Sequence, residues 1–178
     1  ENLKDRISFF YGDLRDFQSL HFPFEKSDLI FHVAADYRLW ARNPSEIYES
    51  NLLGTQNVIE LIKDIPKHKL VYTSSVATLG IENSGESNEN TNVKFEQMIG
   101  DYKKSKYLAE KIVMDYIKNK NLKGVIVNPS TPIGSGDIKP TPTGKIVLQM
   151  LQKKMPAYVE TGLNFVHVDD VAQGHFLA

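Results

Sequence analysis

"HKLVYTSSVATLG", residues 68–80, decides how this chain is read. Its first half is a short run of apolar and β-branched residues with no polar alternation, as in a strand covered on both faces, and it stops abruptly in two serines and a turn. Three other stretches share this form: "ISFFYGD" (7–13), "DLIFHVAA" (28–35) and "KGVIVNPS" (123–130). Between them lie "PSEIYESNLLGTQNVIELIKD" (44–64) and "DYKKSKYLAEKIVMDYIKNK" (101–120), long and periodic enough for helices, with Pro44 near a helix start, where a missing N–H costs little. Strand and helix in alternation imply a parallel sheet with right-handed crossovers, that is, an α/β doubly wound architecture. Past residue 130 the sequence predicts a Pro/Gly-rich loop, a helix from Gly144 to Lys154, a short strand around "PAYVE" (156–160), and a return to the core in "NFVHVDDVAQGHFLA" (164–178). "IENSGESNENTNV" (81–93) is polar enough for a mobile loop.

Composition narrows the function classes. Lys plus Arg number 21 against 22 Asp plus Glu, with no basic run, which offers nothing to nucleic acid or an anionic membrane. The absence of cysteine removes disulfides, thiol catalysis and cysteine metal sites, and fits a reducing compartment, with the cytoplasm as the expectation. No apolar run reaches the roughly 18 residues of a membrane span, and "ENLKDRISFF" lacks the pattern of a signal peptide.

In a doubly wound sheet, ligands bind outside the carboxyl ends of the strands. Here those ends read Gly12-Asp13-Leu14, Ala34-Ala35-Asp36, Ser74-Ser75 and Asn128-Pro129-Ser130, small or hydrogen-bonding residues that let a flat ligand approach the backbone. None of the 11 glycines forms the glycine-rich turn of a dinucleotide fold, which leaves two readings: another fold, or a chain beginning after the first βαβ unit. The polar opening favours the second.

On a helical wheel with Tyr102 at zero, Ala109, Val113 and Tyr116 fall within about 40° and define the buried stripe, while Lys103, Lys104, Lys111 and Lys118 lie about 100° or more away. Lys106 falls about 40° from Tyr102, on the core side, with Ser105 beside the same face. A lysine there is costly unless its charge is used. An ammonium near a phenol favours the phenolate, so the expectation is a Tyr102 pKa drawn down from about 10, and a general acid/base. The other reading is a lysine whose stem packs on Tyr102 while its head reaches water. Ser74 and Ser75, about 27 residues upstream, end a strand that opens on the same crevice; a hydroxyl there would hold a substrate oxygen, or else simply make a turn.

Taken in order, "GDLRD", "FHVAA", "NLLGTQNVIE", "VYTSSVATLG", "YKKSKYLAE", "NPSTPIG" and "FVHVDDVAQGHFLA" resemble the extended short-chain dehydrogenase/reductase family, the NAD-dependent epimerases and dehydratases, over nearly the whole chain. "HVAADYRLWARNP" and "DIKPTPTGKIV" point closer, to its hopanoid-associated sugar epimerases and dihydroflavonol-4-reductase-like proteins. The resemblance implies a Rossmann-type doubly wound sheet, truncated at the amino terminus. Residues 1–135 would be a partial dinucleotide-binding domain, 136–165 the start of a small substrate-binding region, and 166–178 a strand and helix returning to the core.

The same resemblance implies NAD or NADP as cofactor and Ser75, Tyr102 and Lys106 as catalytic residues. Ser75 would hold the substrate oxygen, Tyr102 would exchange its proton as hydride moves to or from the nicotinamide, and Lys106 would bind the nicotinamide ribose. Asp13 and Leu14 match residues that meet adenine; Val33, Ala34 and Ala35 the backbone beside the cofactor; Asn51 and Ser74 polar groups around it; Pro129, Ser130 and Thr131 the nicotinamide side. Asn51 could instead satisfy a neighbouring loop.

Asn128 stands where many extended members carry arginine. The segment that selects between NAD and NADP is absent, so this stretch by itself is expected to bind cofactor poorly and to be inactive. Tyr37, Arg38, Trp40, the loop 81–93 and Lys139 to Thr143 are expected to face a small-molecule substrate, a sugar or another hydroxyl or carbonyl compound. Extended members are often homodimers. "HVDD" (167–170) with His32 or His175 could suggest a metal, but Asp169 reads better as a helix cap and His167 as a strand residue, so no metal is expected. Epimerase, simple reductase and a non-catalytic dinucleotide-binding module remain the three readings.

Overall fold

The computed structural model describes residues 6–82, 84–91, 93–158 and 160–178. Strands β1 (Leu29–His32), β2 (Lys69–Thr73) and β3 (Gly124–Val127) form a parallel sheet in the order β1-β2-β3. Leu29 pairs with Lys69, and Leu70 with Gly124. Parallel neighbours require crossovers. Residues 45–62 make the first and α4 (Asp101–Asn119) the second, as the alternation of patterns requires. A separate two-stranded parallel sheet joins β4 (Thr131–Ile133) to β5 (Phe165–His167). Helices α1 (Phe17–Glu25), α5 (Pro142–Leu151) and α6 (Val168–Leu177) and the 3₁₀ turns Val76–Thr78 and Phe95–Gln97 complete the described elements. This is the α/β parallel-sheet class read from the sequence.

The core lies between the sheet and the two crossover helices. Val58, Ile59 and Ile62 from the first crossover, Leu70 and Tyr72 from β2, and Ala109 and Val113 from α4 are packed together there. Ala109 and Val113 are the innermost residues of the stripe that helical periodicity places next to Tyr102.

Several local expectations are overturned. Residues 7–13 are not a strand: Phe9 and Tyr11 are 85% and 100% exposed, and no described strand hydrogen-bonds to them. An apolar run becomes β-structure only where a neighbour takes up its backbone N–H and C=O groups. The described part of 156–160 is likewise irregular, and Val159 lies outside the described residues. The loop 81–93 is irregular as expected, with Asn83 and Asn92 outside the described residues. Helix α1, unforeseen, starts at Asp16, whose carboxylate accepts from Gln18 N at 3.1 Å, the short polar cap that an N-terminus favours. At α6 the capping group is the His167 side chain, accepting from Asp169 N at 3.3 Å, and not Asp169 itself. α5 begins two residues before Gly144, because the Thr141 hydroxyl caps it and Pro142 suits a first turn.

The first crossover is one helix in three parts. α2 (Ser45–Tyr48) and α3 (Gly54–Ile62) flank a π-helical segment, Glu49–Leu53. Such wide turns appear where a side chain is needed off the regular register. Here that side chain is Asn51. Gly54 follows immediately, and a Cβ at its position would lie 2.8 Å from the Leu14 Cβ, so only glycine lets the helix approach the 13–14 turn.

Candidate active site

The side chains of the site come from several elements at the carboxyl end of the sheet. α4 starts at Gly100, whose φ of +85° is open to glycine and strained for other residues, and this turn sets the angle at which the helix leaves the loop. The first two turns carry Tyr102, Ser105 and Lys106; Tyr102 is half-buried and Lys106 is 3% exposed. The Lys106 ammonium donates to the Thr73 carbonyl at 2.6 Å, at the end of β2, and sits 4.6 Å from the centre of the Tyr72 ring. It therefore points inward, and the alternative of a lysine reaching for bulk water is set aside.

Burial lowers the Lys106 pKa from 10.5 to about 8, and Glu110 opposes that shift. At His32, burial and then the Lys106 charge push the pKa down to about 4, so the buried imidazole is neutral. The expected direction at Tyr102 is corrected: burial raises this phenol above its ordinary value, and the facing Ser75 hydroxyl only partly opposes it. Desolvation of the phenolate is the larger effect.

Ser75 precedes a 3₁₀ turn, Val76–Thr78, and its hydroxyl accepts from Ala77 N at 3.1 Å. Turn-making and a position beside Tyr102 are thus combined in one residue. Ser74 is turned the other way, into the interior, where its hydroxyl donates to the Glu110 carboxylate. That carboxylate also accepts from Thr78 Oγ1 at 2.7 Å and Asn128 Nδ2 at 2.8 Å. Sequence reasoning missed Glu110; the signal open to it was an acid one turn beyond Lys106 on the same side of α4.

Asn51 does what the loop-satisfying alternative requires, and more. Its side chain accepts from Asp36 N at 2.7 Å and donates to Asp36 O at 2.9 Å and to Ser105 Oγ at 3.0 Å. Ser105 in turn donates to the Tyr102 carbonyl at 2.8 Å. The end of β1 is thereby fastened to the turn that bears Tyr102. Asp36 also holds Arg38, at 2.6 Å, and Glu46 takes the same guanidinium at 2.8 Å, which fixes the Tyr37–Trp40 loop beside α2.

The other sequence-predicted residues are spread along the same edge. Val33 and Ala34 are exposed at the end of β1, with Ala35 partly covered. Pro129 accepts from Val76 N at 3.1 Å, and Ser130 leads into Thr131, whose N–H donates to Asn164 O at 2.9 Å. Asp13 and Leu14 lie farther along, where Asp13 pairs with Arg15 at 2.6 Å and Leu14 O accepts from Asn57 Nδ2 at 2.7 Å. Beyond β4 a groove of 580 Å³ runs between the 134–138 loop and α5, lined by Ile133, Asp137, Thr141, Val147, Leu148 and Val168. Among the described residues no group of three or more His, Cys, Asp or Glu side chains could hold a metal.

The model of one family, described as the NAD dependent epimerase/dehydratase family, matches residues 1–178. The chain belongs to the NAD dependent epimerase/dehydratase family. Among relatives of this epimerase/dehydratase chain, a putative dihydroflavonol 4-reductase of Synechocystis sp. is 46% identical, covering 97% of this chain and 50% of its own length. The sterol demethylase protein B of Methylococcus capsulatus is 28% identical over 94% of this chain and 51% of its own.

Of the solved structures, that of gox2253 superposes with a TM-score of 0.87 at 50% identity, over 94% of this chain and 51% of the other. A Thermus thermophilus UDP-glucose 4-epimerase in complex with NAD superposes with a TM-score of 0.82 at 23% identity, covering 97% and 60% of the two chains, and shows the shared Rossmann-type fold. This epimerase/dehydratase chain spans about half the length of the relatives it matches. The family resemblance read from the sequence, with its dihydroflavonol-reductase-like kin and its nicotinamide cofactor, is borne out. No described helix is long and apolar enough to cross a membrane.

Proposed function

We propose that these residues form the catalytic half of an NAD(P)-dependent reductase acting on the carbonyl or hydroxyl group of a small molecule, with Ser75, Tyr102 and Lys106 as its proton relay. The observation that carries this reading is the inward-turned Lys106. Its ammonium has three donors and gives one to Thr73, leaving two to hold a ligand hydroxyl beside Tyr102. The residues fit a nicotinamide dinucleotide: Lys106 for the ribose, Val33, Ala34 and Ala35 with Asn51 along its flank, Pro129, Ser130 and Thr131 on the nicotinamide side, and Asp13 and Leu14 toward adenine. Ser74, turned toward Glu110, acts on that site through its backbone and its neighbour Ser75. When bound, the cofactor supplies or accepts the hydride.

The chain's own groups handle the proton. Ser75 holds the substrate oxygen, and Tyr102, a phenol that burial makes harder to ionise, gives its proton to that oxygen as a carbonyl is reduced. Lys106 then stabilises the phenolate left behind. The 46% identity to a putative dihydroflavonol 4-reductase supports a carbonyl reductase ahead of a sugar epimerase. We place residues 1–135 and 166–178 in the cofactor-binding part and 136–165 in the substrate-side part, in a cytoplasmic protein that pairs as a homodimer.

The test follows NADH or NADPH absorbance in the full-length protein, with dihydroflavonol-type ketones and UDP-sugars offered separately. Ketone-dependent oxidation of the cofactor is expected, and Tyr102→Phe is expected to abolish most of it while cofactor affinity stays near the parent's. Interconversion of UDP-sugars without net absorbance change would favour the epimerase, and a Tyr102→Phe variant as active as the parent would sink the relay.

A further inference from the structure

We infer that Glu110 is a positioning residue: its carboxylate ties the Ser74–Thr78 turn and Asn128 to the helix that bears Tyr102 and Lys106, and it stands as the counter-charge to Lys106. This rests on the relay reading above and adds to it a group that touches neither substrate nor cofactor.

Geometry supplies the first half. Three donors from two separate places in the chain, the turn after β2 and the end of β3, converge on one oxygen of a residue that is 9% exposed: Ser74 Oγ, Thr78 Oγ1 and Asn128 Nδ2. Two of these groups also meet the backbone of Ser75: the single Thr78 hydroxyl hydrogen is shared between Glu110 and Ser75 O, 2.6 Å away, and Asn128 Nδ2 donates to the same carbonyl at 3.1 Å. Ser75 is therefore located by a knot whose centre is Glu110. Because Glu110 is one turn beyond Lys106 on α4, the knot fixes the distance between the serine and the other two members of the relay.

Charge supplies the second half. All three donors to Glu110 are neutral, so none of them balances its carboxylate. The buried cation on the same side of α4 is Lys106, too far for a direct ion pair yet held in a poorly screened interior. The groups around Lys106 are His32 on β1, Tyr72 and the Thr73 carbonyl on β2, and Glu110 on α4, with His175 of α6 reaching Thr73 Oγ1 at 2.8 Å. His32 is neutral and Tyr72 is pushed above its ordinary pKa, so the acidic side chain of this set, and the group that holds the Lys106 charge in place, is Glu110.

Three variants of the full-length protein test this. Glu110→Gln keeps an oxygen for the three donors but removes the charge; Glu110→Ala removes both; Thr78→Val removes one donor and keeps the charge. In a lysine side-chain NMR titration, Glu110→Gln is expected to lower the Lys106 midpoint by about one pH unit, with Thr78→Val unchanged. A Lys106 midpoint unmoved in Glu110→Gln overturns the counter-charge.

Hydrogen exchange at the Ala77 and Thr78 amides is expected to quicken in Glu110→Ala and Thr78→Val and to recover in Glu110→Gln. Exchange at the parent rate in all three overturns the positioning role. Turnover is expected to fall about 100-fold in Glu110→Ala, with KM near the parent's. A parent without turnover would break the relay reading, while the titration and the exchange would still decide the role of Glu110.

Discussion

Residues 7–11, "ISFFY", and 69–73, "KLVYT", are equally good strands on paper and meet opposite fates. In the second, Leu70, Val71 and Tyr72 are 1%, 4% and 1% exposed between two parallel neighbours and under two helices. In the first, Phe9 and Tyr11 stand in the open. The comparison teaches that β-structure is a property of a pair: apolar side chains permit a strand, but the backbone needs a partner. The catalytic candidates all belong to the paired side.

The strongest attempt to break the contrast is on the chemistry that the paired side supports. Lys106→Met is expected to cost about 10²- to 10⁴-fold in kcat/KM for carbonyl reduction, read by cofactor absorbance, whereas Tyr11→Ala leaves turnover near the parent's. Next in size is the core. Ile59→Ala, at a position 1% exposed, should lower stability by about 2–5 kcal/mol, seen as a reduced midpoint in urea unfolding.

Acid should act on the paired side as well. His32, held neutral with its pKa at about 4, takes up its proton more readily in the unfolded chain, whose value is near 6.5. Its contribution is fully present above pH 6.5 and is lost as pH falls toward 4, to a total of up to about 3 kcal/mol. Urea midpoints across that window should fall with pH in the parent and fall less in His32→Gln. Asn51→Ala follows, at about 1–3 kcal/mol, with faster amide exchange at Asp36, because a buried donor and acceptor lose their partner. Smallest is Phe9→Ala, expected within about 0.5 kcal/mol of the parent; a loss as large as that of Ile59→Ala would show that residues 7–11 are packed in solution and would end the contrast.

What could be read in advance divides along the same line. The inward place of Lys106 was legible, since the wheel that puts Ala109 and Val113 in the core also puts residue 106 there. β1, β2, β3 and the two crossovers were legible because run length and periodicity are local signals. Glu110 was not, because a carboxylate at the margin of an apolar stripe looks like the start of a charged face. Its partners come from positions 74, 78 and 128, which no local pattern connects. The raised pKa of Tyr102 was misjudged for a related reason: sequence spacing shows the nearby charge, while the cost of burying the phenolate depends on everything packed around it.

The wide turn at Glu49–Leu53 carries a lesson for anyone wishing to harden this protein. Deleting one residue there would restore regular α-helical winding and, judged locally, improve the helix. The same deletion would take out the extra residue that the wide turn absorbs, so the flanking halves would keep their facing while the side chains inside the turn would be redistributed around the axis. Asn51 would then leave the Asp36 backbone, and the loop ahead of the tyrosine would lose its anchor, so the apparent defect is the one part of that helix a stabilising redesign has to leave alone.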